Sequence, residues 1–203
     1  MGDSINTFHK PTKWRNFHMA TTKKKVLIVI DVQNDFITGA LKNEEAIKAL
    51  PNIVNLLKTE SFDETYVTMD THGKDYLKTL EGQKLPVEHC IEGTWGWHMP
   101  EEVTATKAIQ NAGIYEKPTF GSRELANHLW AHIINENFAS LQDYEFTIIG
   151  FCTDICVVSN ALMLRANFPN NTIRLIENCT AGVTPESKAA AIQVLSMNQI
   201  EIV

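Results

Sequence analysis

No uninterrupted apolar run approaches the roughly 18 residues a membrane-spanning helix needs, which excludes an integral helical membrane protein. Basic residues are also in short supply. Eighteen Lys and Arg stand against 24 Asp and Glu, a formal net charge of −6, and no basic stripe is left to track a nucleic-acid backbone. The four cysteines (Cys90, Cys152, Cys156 and Cys179) follow no secretory apolar segment, so they do not read as a disulfide framework, and a reducing cytoplasm is the expected compartment. Gly-x-Gly-x-x-Gly and Gly-Lys-Ser/Thr turns are missing, as are internal repeats and low-complexity linkers. What remains is a chain of 203 residues, 44% apolar and 21% charged, ordinary for one globular domain acting on a small molecule.

Charge is unevenly spread. Residues 1–25 carry six basic side chains (Lys10, Lys13, Arg15, Lys23, Lys24, Lys25) against Asp3, a local net of +5, leaving −11 for residues 26–203. This extension holds Phe8, Trp14 and Phe17 but no sustained helical apolar stripe, so a targeting or membrane-touching arm is the lesser reading. The junction His18-Met19 marks residues 1–18 as a leader ahead of a native start, and the domain is expected over residues 26–203.

The run Val26–Ile30 is continuous, apolar and β-branched, as a strand buried on both faces requires. A helix over Glu44–Lys58 and a strand over Glu64–Met69 complete a βαβ unit. Residues 70–99 are polar, aperiodic and long enough to need a task. Then come a helix at Glu101–Ala112, a strand at Gly113–Glu116, a helix at Ser122–Glu136 and a strand at Glu145–Ile149. Helix and strand recur over Asp154–Asn167, Thr172–Ile176, Pro185–Met197 and Ile200–Val203. The expected fold is α/β: a single three-layer, doubly wound domain with a mostly parallel six-stranded sheet, its ligands at the carboxyl ends of the strands.

Three of those ends carry reactive groups. Asp31 closes the first strand, where a carboxylate needs a cationic or thiol partner unless it only turns the chain. Lys117 closes the third. After the fourth, Cys152-Thr153-Asp154-Ile155-Cys156 leads into a helix; Thr153 or Asp154 is the expected N-cap, which sets Cys156 in a first turn whose dipole lowers a thiol pKa. A carboxylate base, a cation and a thiol are the parts of acyl transfer by a cysteine nucleophile, although both cysteines also suit a plain apolar core. Asp70, His72 and His89, with Glu81 between them, have the chemistry of a divalent-metal site for zinc, iron or manganese, while histidines in polar loops are often merely solvated.

Four segments carry a resemblance from Val26 to the C-terminus: Asp31-Val32-Gln33-Asn34-Asp35-Phe36; Asp70-Thr71-His72 with Pro86-Val87-Glu88-His89-Cys90 and Gly93-Thr94; Lys117-Pro118-Thr119-Phe120; and Gly150-Phe151-Cys152-Thr153-Asp154-Ile155-Cys156-Val157. They are similar to those of the isochorismatase-like cysteine hydrolases, above all the nicotinamidase-type amidases. The resemblance implies an Asp31–Lys117–Cys156 triad, one divalent metal ion (zinc favoured) on Asp70, His72, His89 and a less certain Glu81, oxyanion donors at the backbone N–H of Cys152 and Cys156, and a cis Phe151–Cys152 peptide. It further implies conversion of nicotinamide to nicotinate and ammonia through a thioester. A related amidase or ureido-hydrolase is the alternative, and a thiol redox or ligand-binding module with no turnover is the alternative from another class. Where these amidases commonly stack an aromatic ring on the substrate, this chain has Leu85, so Phe36 and Trp95 (with Trp97) are the candidates for that ring. The expected partners are a small-molecule amide and further copies of the chain, with no nucleic acid and no membrane.

Overall fold

The computed structural model describes residues 23–203, the side chains of residues 136–140 excepted. The leader expected over residues 1–18, and the basic segment up to residue 22, lie outside the described residues. Six strands pair in parallel: β1 (Lys24–Ile30), β2 (Glu64–Asp70), β3 (Gly113–Lys117), β4 (Tyr144–Phe151), β5 (Thr172–Ala181) and β6 (Glu201–Ile202), in the spatial order β3-β2-β1-β4-β5-β6. The order reverses at β1, so the connections that lead from β1 to β3 and those that lead from β3 to β6 cover opposite faces. Leu27 and Val29 of β1 pack with Ile53 and Leu57 of α1 (Glu44–Thr59), Val103 of α3 (Glu101–Thr104) and Ile109 of α4 (Lys107–Gln110). Val26, Ile28 and Ile30 pack on the other side with Leu129 of α5 (Arg123–Asn137), Leu164 of α6 (Val158–Asn167) and Leu195 of α7 (Pro185–Met197). Helices on both faces are why β1 is apolar throughout instead of alternating.

Local signals explain the helix starts. Asn43 caps α1, its side chain accepting from the N–H groups of Glu45 and Ala46. Thr184 and Ser187 form a reciprocal capping box for α7, with Pro185 in its first turn. The structure departs from the sequence reading in three places. The helix expected over Glu101–Ala112 is two short ones, because the Thr106 hydroxyl bonds the Val103 carbonyl and ends the first. β5 continues past Ile176 to Ala181, following β4 across a register shift between Ile148 and Gly150. The polar stretch is ordered: it holds a tight turn at Tyr76–Lys78, α2 (Leu80–Lys84) capped by Thr79, and a bridge between His72 and Ile91. In an open parallel sheet the crevice lies where the strand order reverses, here between the carboxyl ends of β1 and β4.

Candidate active site

Asp31 leaves β1 with a left-handed backbone (φ +47°), rare for a residue with a side chain. Its carboxylate is fully buried. Oδ1 accepts from the Thr68 hydroxyl at 2.6 Å, and Oδ2 lies 2.6 Å from the Lys117 ammonium. Lys117 Nζ also donates to Cys156 Sγ at 3.5 Å and stands 3.5 Å from Asp70 Oδ1. β1 and β4 come close enough to build this cluster because Gly150 (φ +118°) lacks a Cβ, which would collide with the Ile30 carbonyl. The Phe151–Cys152 peptide is cis.

The electrostatics follow from burial. Burial raises the Asp31 pKa against the lowering effect of Lys117. It also opposes the charge of Lys117, yet the facing Asp31 and Cys156 hold that ammonium well above the ordinary lysine range. The expected lowering of the Cys156 pKa is corrected: burial, then the charge of Asp31, pushes this thiol well up, and Lys117 offsets only part of it. The expected cap is corrected too. Cys152 holds the N-cap position, with no side-chain cap, ahead of a widened turn at Thr153–Val157. Asp154 instead turns its carboxylate to the Val183 N–H, while the amides of Ile155 and Val157 bond the Cys152 carbonyl.

Beside this cluster Asp70, His72, Glu81 and His89 bring four ligand atoms within 4.8 Å of one another. Asp70 Oδ2 is 2.9 Å from His72 Nε2 and 3.5 Å from His89 Nε2, and Glu81 Oε1 is 3.8 Å from each imidazole. A tetrahedron on bonds of about 2.0 Å has edges of roughly 3.3 Å, so the spacing fits a metal ion. The donor set fits as well. His89 Nδ1 lies 2.8 Å from the Val87 carbonyl, which can only accept, so Nδ1 carries the proton and the Nε2 lone pair faces two carboxylates. A cation between them relieves that repulsion. Burial opposes the charge of His89, but Asp70 raises its pKa; the Asp70 carboxyl, pushed up by burial, is held well below the usual range by both imidazoles.

Cys156 of the first cluster and all four residues of the second line one cavity of about 1440 Å³. Phe36 and Leu85 line it, as the sequence suggested, and Phe36 meets His89 edge-on at 5.8 Å between ring centres. Trp95 does not, which corrects its assignment. Its side chain, 61% exposed, lines a separate depression with Trp97, because Asn34 captures the Trp95 carbonyl and Asp35 N–H bonds Gly96, turning this loop away.

The isochorismatase-domain profile matches residues 25–203. The chain belongs to the isochorismatase family. It is 26% identical over 193 residues to the nicotinamidase/pyrazinamidase of Mycobacterium tuberculosis, covering 88% of this chain and 98% of that protein. It is 28% identical over 207 residues to the nicotinamidase of Schizosaccharomyces pombe, covering 87% and 91%. The crystal structure of a Bacillus subtilis nicotinamidase/pyrazinamidase superposes with a TM-score of 0.73 at 25% identity, covering 89% of this chain and 99% of that one. The protein is an isochorismatase-family amidohydrolase, acting on amide carbon–nitrogen bonds.

Several residues that build this amidohydrolase site escaped the sequence reading. Thr68 points inward on β2, like any core threonine. Gln33 lies in a motif already singled out, yet its role needs the fold: Oε1 accepts from the Asp70 N–H and Nε2 donates to the Asp70 carbonyl, framing that residue from both sides. Tyr76 packs on His72 and His89 with ring centres 4.6 and 5.0 Å away. It sits in an aperiodic stretch where only the Asp70–His89 spacing hinted at its neighbours.

Proposed function

We propose that this amidohydrolase is a nicotinamidase, converting nicotinamide to nicotinate and ammonia through a thioester on Cys156, with one divalent metal ion on Asp70, His72, His89 and Glu81. The observation that carries the reading is that Cys156, in contact with the Lys117 that faces Asp31, lines the same cavity as the four converging ligand residues. The two relatives described above are named nicotinamidase/pyrazinamidase and nicotinamidase, which supports this acyl group over a ureido one. The donor set suits zinc first, then iron or manganese.

In the resting site the thiol keeps its proton, since burial and Asp31 oppose ionisation. Asp31 takes that proton as Sγ attacks the amide carbon, and the carbonyl electron pair moves onto oxygen, stabilised by the backbone N–H groups of Cys152 and Cys156. Asp31 returns the proton to the amide nitrogen. The carbon–nitrogen bond breaks, ammonia leaves and the thioester forms. Water then attacks the thioester while giving a proton to Asp31; the carbon–sulfur bond breaks and Asp31 reprotonates the departing thiolate. Lys117 keeps the shared proton between a carboxylate and a thiol from leaving two uncompensated negative charges. When bound, the metal supplies a Lewis-acidic anchor for the pyridine nitrogen.

Ammonia release from nicotinamide, pyrazinamide, aliphatic amides and ureido amides, with and without chelator, tests this. Nicotinamide is expected to give the highest kcat/KM, and a ureido amide turning over faster would overturn the assignment. The reading extends to a reducing cytoplasm, in keeping with four free and buried cysteines, and to a homo-oligomer, which sedimentation velocity reads directly.

A further inference from the structure

We infer that Asp35, which touches neither the thiol nor the ligand point, is a positioning residue that holds His89 and His72 in register for the metal; the inference rests on the metal reading above. Its buried carboxylate is occupied at both ends by backbone amides: Oδ2 accepts from Cys90 N–H at 2.7 Å and Oδ1 from Ala40 N–H at 2.8 Å. Cys90, next to His89, has a left-handed backbone (φ +46°) that a residue with a side chain adopts only when its surroundings hold it there. The backbone of Cys90 is held on both sides. Asp35 takes its N–H, and its carbonyl accepts from His72 N–H at 3.0 Å. One residue therefore ties together the segments that carry both imidazoles, and Asp35 holds the peptide that joins it to His89.

The chemistry at this point calls for a carboxylate. Two N–H groups arrive from opposite sides, so an amide side chain would turn an NH2 towards one of them. Gly96 keeps the space open: a Cβ there would intrude on the Asp35 carboxylate, and Asp35 N–H bonds the Gly96 carbonyl at 3.0 Å.

The test measures cobalt(II) and zinc(II) binding to the full chain by chelator competition, with the visible spectrum of the cobalt form as a geometric readout. Asp35→Asn is expected to weaken binding about 10- to 100-fold and to alter the cobalt spectrum at saturation. In a His89→Ala background the same substitution should cost clearly less than it does in the wild-type chain, since one of the two imidazoles it positions is gone. Wild-type affinity and spectrum in folded Asp35→Asn would overturn the inference, as would an undiminished penalty in the His89→Ala background, the mark of general loosening. If Asp35→Asn does not fold, Gly96→Ala displaces the same carboxylate without removing it and must show the same loss. A wild-type chain that binds neither metal would overturn the metal reading itself, and this inference with it.

Discussion

Thr68 donates its hydroxyl to Oδ1 of Asp31 at 2.6 Å, so the two oxygens of one buried carboxylate have separate duties. Oδ1 is held, and Oδ2 faces Lys117. Burial raises the Asp31 pKa while Lys117 and Thr68 hold it down. Thr68→Val keeps the shape and deletes the donor, a loss of about 1.5–3 kcal/mol for a bond to a charged acceptor. Asp31 then holds its proton to higher pH, and the acid limb of kcat/KM should move upward. An unmoved limb in a folded variant would show that Thr68 only fills space.

Lys117→Met should move the same limb further. Without the ammonium only the Thr68 hydrogen bond opposes burial and the charge of Asp70, so Asp31 holds its proton to higher pH and fewer enzyme molecules carry the base at neutrality. Activity at pH 7 is expected to fall by about a hundredfold or more, with partial recovery on the alkaline side. Full activity with an unshifted profile would remove Lys117 from the machinery.

The two cysteines of the turn should behave differently. Cys156→Ala is expected to abolish ammonia release while leaving the unfolding midpoint nearly unchanged. Burial pushes the Cys152 thiol up to about 12, and the role assigned to this residue is its backbone N–H, so Cys152→Ala should be almost silent. Equal damage from both substitutions would favour the thiol redox module over the hydrolase mechanism.

Arg165 offers a stability prediction remote from the chemistry. Its guanidinium donates to the carbonyls of Phe168, Pro169, Asn171, Asn198 and Gln199, fastening the end of α6 to the end of α7. Arg165→Lys cannot reproduce that fan and should cost about 2–3 kcal/mol, lowering Tm by roughly 5–10 °C. kcat/KM at 25 °C should stay at the wild-type value. A thermal melt and an ammonia assay on the same preparation check both halves.

The sequence made the layering legible because Val26–Ile30 could be nothing but a doubly covered strand, and the reactive positions legible because ligand sites in such sheets sit at strand ends. What escaped were effects of neighbours brought in by the fold. The Cys156 thiol looked activated from its place at a helix start, but the sequence does not show how deeply the turn is buried or that Asp31 arrives beside it. Trp95 reads as a pocket wall in the sequence, but its carbonyl is held by Asn34 and its ring lines a separate depression. Thr68 and Gln33 act through partners remote in sequence, which no local pattern reveals.

The reversal of strand order at β1 also has a kinetic consequence. Asp31, Asp70, Lys117 and Cys156 stand at the carboxyl ends of four different strands, and the carboxylate of the first meets the thiol of the last only when β1 has paired with β4 across the middle of the chain. Contacts of such high sequence separation close late and slowly. Catalysis is therefore a property of the finished sheet. A nascent chain released before β4 has threaded beside β1 carries Asp31, Asp70 and Lys117 but no reactive centre, and a refolding chain regains turnover only in step with its slowest parallel pairing.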